Sequence, residues 1–574
     1  MIKKISILFI LVIGLILSVT YVAFGSPNSA SQSLQMPMTA MGANSVELTD
    51  PHSAVSGLSE SFSAMAAVGP CDVDFDGSGV VDVGDIMYVA NCWRSADSAC
   101  DPYDLDSDVD IDIVDIMLVA AQWGNTCSIS PFAIDMGGQD TDPTRRDLAA
   151  AAGFTMHRTS VSWASIEPNA PVGGVHTYNW PDSTFNIYRN DRRLIPYVIV
   201  MNNPSWAVPV GQPTCGPIDS DHLDDFGEFV GQLVSRYADV TPYWVFYNEE
   251  DLWTTPYVGH DAGGCWGGNG AEYAQMLAVA WDAAHSANPN AQVIFGAAAY
   301  EPVWDGGATW DRFFFRDAFE YMEDNPDDYV DIILANQYNA FRDDWDGASI
   351  TSPENQEIIA KFRQAVSDAS FNPNTPGAYS IYKWQTEYGL DTPMATGEVG
   401  LQVSVGPGGV PTMEELQARH AVHVNVRGMA AGLEIICWYT LADKGGGELN
   451  YGLLHGNLTP RPAYYAYQVL TQQLDGYGFD QQLVVSGKPK IQAYRFDDNG
   501  VKKLVLWRDS GEKIKNQSSI ATETMTVSAT ELGAGWTGRL RVTDKLGNVS
   551  TYGYSGAPSV DLAFSSDPIY VEAY

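Results

Sequence analysis

From about residue 130 to 472, short runs of β-branched and aromatic residues alternate with longer stretches whose apolar positions recur at helical spacing. The short runs are "FAIDMG", "FTMHRTSVSW", "LIPYVIVMN", "YWVFYNE", "QVIFGAA", "VDIILANQY", "SIYKWQTEYG" and "LEIICWYTL". Between them, "PTRRDLAAAAG", "FGEFVGQLVSRYA", "AEYAQMLAVAWDAAHSA" and "NQEIIAKFRQAVSDA" read as helices. Strands covered on both faces lose strict alternation and become nearly continuous apolar runs. Eight of them alternating with helices predict an α/β fold, a (β/α)8 barrel over 130–472. Beyond residue 475 the runs "KIQAYRF", "KLVLWRD", "GRLRVTD" and "PIYVEAY" follow one another between turn residues. That pattern predicts a β-sandwich over 475–574.

The N-terminal part has a different character. Lys3 and Lys4 precede an uncharged apolar run from Ile5 to Phe24, followed by small residues. This reads as an export signal over 1–25, cleaved near Gly25 or retained as an anchor, so the chain is expected to be secreted or held at the cell surface. Residues 26–69 are rich in Ser, Ala, Met and Gly and read as a linker. An internal repeat then occupies 70–127. "DFDGSGVVDVGDIMYVANCW" begins at Asp74 and "DLDSDVDIDIVDIMLVAAQW" at Asp104.

The 574 residues carry 31 basic and 71 acidic side chains, a net charge of -40. Such a surface repels polyanions, so no nucleic-acid partner is expected. Seven cysteines in an exported chain suggest disulfides. Nesting suggests Cys71–Cys127 and Cys92–Cys100, neighbouring loops suggest Cys215–Cys265, and Cys437 in an apolar run reads as a buried thiol.

Each repeat matches a twelve-residue calcium loop. Asp74, Asp76, Ser78, Val80, Asp82 and Asp85 fall on the alternating ligand positions, Val80 through its carbonyl, and Gly79 takes the sharp turn. The second copy offers Asp104, Asp106, Asp108, Asp110, Asp112 and Asp115, with Val109 where glycine is expected. Paired loop–helix repeats that end in Asp instead of Glu resemble dockerin modules. The resemblance implies structural Ca2+ and docking onto a cohesin-type or cell-surface partner. A module that only staples the linker is the plainer reading.

In barrels of this class, chemistry sits at the C-terminal ends of the strands. "VFYNE" ends at Glu249 and "KWQTEYG" carries Glu387, counted as following the fourth and seventh strands. Glycosidic cleavage needs one protonated carboxyl for the leaving oxygen and one ionised carboxylate for the anomeric carbon. Here the chain resembles the clan A glycoside hydrolases, nearest to the xylosidase and iduronidase-like families and compatible with cellulase-like relatives. The resemblance rests on Asn248–Glu249, on Glu387 in "TEYG", on Arg158 in "MHRTSVSW", and on Tyr338 and Trp438. It implies Glu249 as acid/base and Glu387 as nucleophile of a retaining enzyme, about 5–5.5 Å apart, with no catalytic cofactor. It also implies Arg158 and Tyr338 beside the nucleophile and Asn248 on a sugar hydroxyl. Many relatives place His where this chain has Asn336. Trp206, Trp253, Trp266 and Trp438, with Asn202, would line a cleft for a carbohydrate. Glu250 is expected to turn away from the pocket, and Asp251 to brace the next loop. The rival reading is a carbohydrate-binding or scaffold protein that kept the barrel without turnover.

Overall fold

The computed structural model describes residues 83–95, 110–123, 130–250, 270–298, 329–336, 394–400, 412–444 and 450–574, with gaps at 431, 499 and 510–520. It also describes positions 73, 75, 81, 100, 103–105, 266, 318, 321, 322, 325 and 403. The signal, the linker, Cys71, Cys127, Cys265, Tyr338 and Glu387 lie outside these residues. Among the described residues no helix is long and apolar enough to cross a membrane.

Eight parallel strands close into a barrel in chain order. They are β1 (Phe132–Asp135), β2 (Met156–Ser162), β3 (Ile195–Met201), β4 (Tyr243–Asn248), β5 (Gln292–Ala298), β6 (Ile332–Asn336), β7 (Met394–Val399) and β8 (Leu433–Tyr439). Each pairs with its sequence neighbour, and β1 closes on β8 with Asp135 opposite Tyr439. Seven strands coincide with the predicted runs. The seventh does not: it is Met394–Val399, downstream of "SIYKWQTEYG", which lies outside the described residues. Continuous apolar runs also hide which side chains face inward, and the structure resolves this. Ala133, Met156, Tyr197, Ile199, Val245, Ile294, Ile332, Leu334, Ile435 and Cys437 fill the barrel interior. The alternate residues join the large core beneath the surrounding helices.

Helices Pro143–Ala151, Leu223–Arg236 and Gly270–Ala287 match expectation, and Asp182–Asn190 and Met413–Ala430 add to them. The last barrel helix, Pro462–Leu474, starts with proline, whose missing N–H costs nothing in a first turn. A six-stranded sheet and a two-stranded sheet follow. The six-stranded sheet contains β9 (Gly478–Gln482), β10 (Ile491–Asp498) and β11 (Val501–Arg508). The period of two divides the side chains of β10 and β11. Ile491, Ala493, Leu504 and Leu506 enter a core shared with the two-stranded sheet. Tyr494, Phe496, Val505 and Trp507 instead join the barrel core. Trp507 stacks on His423 with ring centroids 4.3 Å apart and under the Arg427 guanidinium at 5.3 Å. Burial and the charges of Arg427 and Arg419 hold His423 well below its ordinary pKa, so this wall carries a neutral imidazole.

The duplicated segment forms two helices, Val83–Asn91 and Ile113–Ala121, around its own small core. Cys92 and Cys100 are joined as expected. Cys215 is also disulfide-bonded, and Cys437 is a buried thiol.

Candidate active site

The polar residues of the barrel mouth come from several strands. On β1 and β2, Asp135 and Arg158 continue the inward-facing rows begun by Ala133 and Met156. On β4 the alternation breaks. Tyr247 adopts a left-handed backbone (φ +66°), which a bulky side chain rarely accepts. Its ring joins the helix-side core against Trp266 and Tyr273, and its hydroxyl donates to Asn203 Oδ1 at 2.5 Å. One residue is thereby consumed, and Asn248 is rephased onto the interior. Glu249 is also left-handed (φ +51°) and reaches the same space. Each such residue costs of order 1–3 kcal/mol, and their clustering marks the strand end as a built feature.

These side chains form one network. Arg158 Nη1 donates to Asp135 Oδ2 at 3.2 Å and Nη2 to Asn248 Oδ1 at 2.6 Å. Asn336, at the end of β6, donates from Nδ2 to Asn248 Oδ1 at 3.3 Å and to Glu249 Oε1 at 3.1 Å. Asp135 Oδ1 accepts from the Gly137 amide at 2.6 Å. The Arg158 side chain is 9% exposed, so its charge is screened little by water. Because Asn248 Oδ1 accepts twice, its Nδ2 is the group left to donate to a ligand. Asn336 is 3% exposed, and among the described residues its Oδ1 has no hydrogen-bond partner. Its amide bridges β4 and β6 and holds Glu249.

Glu250 does turn away. It is fully buried behind the strand, where a Cβ added to Gly296 would approach its Oε2 to 2.4 Å. Burial, then the nearby Glu250 charge, raises the Tyr273 phenol well above its ordinary pKa. Asp251 lies outside the described residues.

Strand β7 brings a residue that the sequence reading missed. Glu398 stands opposite Asn336 in the β6–β7 register, past a shift between Ala335 and Asn336. Its neighbour Val399 belongs to the helix-side core. The available signal was "TPMATGEVG", a short apolar run reaching Glu398 before the helix Met413–Ala430.

The aromatic assignments change as well. Trp438 does not line the mouth: it is fully buried on the helix side of β8 against His420 and Tyr467, with Nε1 donating to Tyr451 O at 3.2 Å. Cys437 faces inward, so alternation sends Trp438 outward and returns Tyr439 to the mouth. Tyr439 is half-buried opposite Asp135, and its hydroxyl accepts from Lys444 Nζ at 2.9 Å. Trp206 is half-buried in the loop after β3, with ring centroids 5.4 Å from Trp163 and 5.2 Å from His222. Asn202, left-handed (φ +58°) and exposed, stands at the rim. Trp266 is buried, and Trp253 lies outside the described residues. His157 faces the helices. Burial and then the Arg146 charge lower its pKa to about 3, which keeps it neutral.

Among the described residues no group of three or more His, Cys, Asp or Glu side chains is arranged to hold a metal. In the duplicated segment Asp74, Asp76, Ser78, Val80, Asp82, Asp106 and Asp108 lie outside the described residues, whereas Asp85, Asp104, Asp110, Asp112 and Asp115 are described. Asp85 and Asp115 play matching parts. Each is fully buried, and each accepts the backbone amide ten residues earlier, Phe75 at 2.5 Å and Leu105 at 2.6 Å. Asp115 Oδ2 also accepts from the Asp112 amide at 2.7 Å. Carboxylate oxygens are the ligand type that suits a hard cation.

No family model matches the sequence, and no curated protein matches it. Solved structures do. The chain is similar to a family 39 glycoside hydrolase from the gut symbiont Bacteroides cellulosilyticus WH2, at 17% identity and a TM-score of 0.54, covering 77% of this chain and 81% of that one. It is also similar to a conserved exported protein from Bacteroides fragilis, at 11% identity and a TM-score of 0.51, covering 78% of this chain and 97% of that one. At these identities the likeness is one of fold: a parallel barrel followed by a β-sheet domain.

Proposed function

We propose that the chain is a secreted, retaining glycoside hydrolase acting on an oligo- or polysaccharide, with Glu249 as its acid/base. The observation that carries the reading is Glu249 held by Asn336, within the Arg158–Asn248 network, at the mouth of a closed parallel barrel. For the second carboxylate, sequence motif alone favours Glu387. The β6–β7 register supports Glu398 instead, and Glu398 is the residue proposed here as nucleophile.

In the first step a Glu398 oxygen bonds to the anomeric carbon. The glycosidic C–O bond breaks, and its oxygen takes the proton of Glu249. Water then attacks the same carbon, gives a proton to Glu249 and releases the Glu398 carboxylate. Asn248 Nδ2 donates to a sugar hydroxyl, Arg158 fixes Asn248 and supplies positive charge to the mouth, and Tyr439 offers a ring face.

The duplicated segment is proposed to bind Ca2+ as a structural ion through its repeated aspartates. Val83 and Trp93 in one half and Ile113 and Trp123 in the other are exposed at matching repeat positions, which supports a face for a cohesin-type partner. The catalytic reading is tested by a panel of aryl-glycosides and polysaccharides with wild type and Glu249→Gln. Hydrolysis that drops at least about a thousandfold in the variant is expected for activated and natural substrates taken together. Sugar binding by wild type without any hydrolysis supports the non-catalytic rival.

A further inference from the structure

Among the described residues the duplicated segment meets the barrel at Arg192. Arg192 lies in the turn before β3, at the end of the barrel opposite the mouth. Its guanidinium carbon is 6.0 Å from the Phe75 ring centroid and 5.9 Å from that of Tyr103. The two rings meet edge to face at 4.9 Å, both nearly buried, and Tyr88 adds a third ring 6.2 Å from Tyr103. Among the described residues Arg192 Nε has no hydrogen-bond partner, but the Arg192 side chain also hydrogen-bonds to Tyr103, so the contact is polar as well as cation–π. Arg189 and Asp239, paired at 2.5 Å on the same end of the barrel, also act electrostatically on Tyr103.

Both gripping rings sit beside the acidic loops. Phe75 lies between Asp74 and Asp76, and its amide donates to buried Asp85; Tyr103 directly precedes Asp104. We infer that the duplicated segment is a brace fixed to the floor of the barrel, and that ion binding in its loops is felt at the N-terminal end of β3 through the Phe75–Arg192–Tyr103 contact. The inference rests on the proposed calcium reading. The physical link is short: a cation held through Asp85 fixes the Phe75 amide bonded to it, and Phe75 with Tyr103 fixes Arg192. Whatever binds and orders only the folded segment then stabilises the barrel that it grips. An untethered module would leave the barrel indifferent to calcium.

The test uses the full chain, with CaCl2 or EGTA, and reads three signals. Calcium heat is followed by titration calorimetry, the barrel transition by scanning calorimetry, and amide exchange is followed over residues 189–197. In wild type, chelation is expected to lower the barrel Tm by about 3 °C or more and to speed exchange in that segment at least about tenfold. In Arg192→Ala, calcium still binds, while Tm and exchange no longer respond to it. Arg192→Lys, which keeps the charge without the planar stack, is expected to fall between. Calcium binding with no change in wild-type exchange or Tm overturns the coupling alone. Absence of calcium heat overturns the calcium reading together with the coupling.

Discussion

The ends of β4 and β7 stand on either side of Asn336 and are built differently. β4 ends in two left-handed residues, and hydrogen bonds from β2 and β6 hold its Asn248 and Glu249. β7 is joined through irregular register, shifting on both flanks before Glu398 and Val399. A group that must give and regain a proton in place benefits from a fixed partner such as Asn336. A nucleophile needs chiefly a position across the mouth from the acid/base, and β7 lies three strands on from β4 in the barrel. The contrast sets a hydrogen-bonded strand end carrying the proposed acid/base against an irregularly paired strand carrying the proposed nucleophile.

The strongest way to break this pairing is to remove one carboxylate at a time. Glu398→Gln is expected to lower kcat at least about a thousandfold, while Glu387→Gln stays within about twofold of wild type. The reverse pattern in steady-state kinetics returns the role to Glu387. Next comes the bridge. Asn336→Ala removes a donor shared by Asn248 and Glu249 and is expected to cost about 10- to 100-fold in kcat/KM, with melting temperature little changed. A loss confined to KM shows that Asn336 contacts substrate without orienting Glu249. The smallest catalytic effect separates the two aromatics of β8. Tyr439→Ala raises KM about tenfold with the fold intact, whereas Trp438→Ala loses about 3–5 kcal/mol of stability in denaturant titration.

Much of this was legible in the residues because the barrel strands are apolar runs bounded by turns, and seven of them fall where the pattern predicts. The seventh failed for a physical reason. "SIYKWQTEYG" is the longer and more β-rich run, whereas Met394–Val399 is only six residues and contains Gly397. Propensity favours the former, and pairing between β6 and β8 selects the latter. Trp438 failed for a different reason. A strand covered on both faces carries no polar alternation to tell inside from outside, so the larger aromatic drew the assignment away from Tyr439. At β4 alternation itself misleads: counting by two from Val245 gives Tyr247 and Glu249, and only the left-handed Tyr247 brings Asn248 inward. At the "NEE" triplet Glu249 enters the Asn336 network and Glu250 is buried away from it, as alternation of faces leads one to expect.

The most direct measurement is covalent trapping. Wild type is incubated with a 2-deoxy-2-fluoro glycoside of the sugar found by the aryl-glycoside panel, digested, and mapped by mass spectrometry. The account predicts one added glycosyl group on the peptide containing Glu398, with Glu249 and Glu387 unmodified. A glycosyl group on Glu387, or turnover with inverted anomeric configuration and no trapped species, contradicts it.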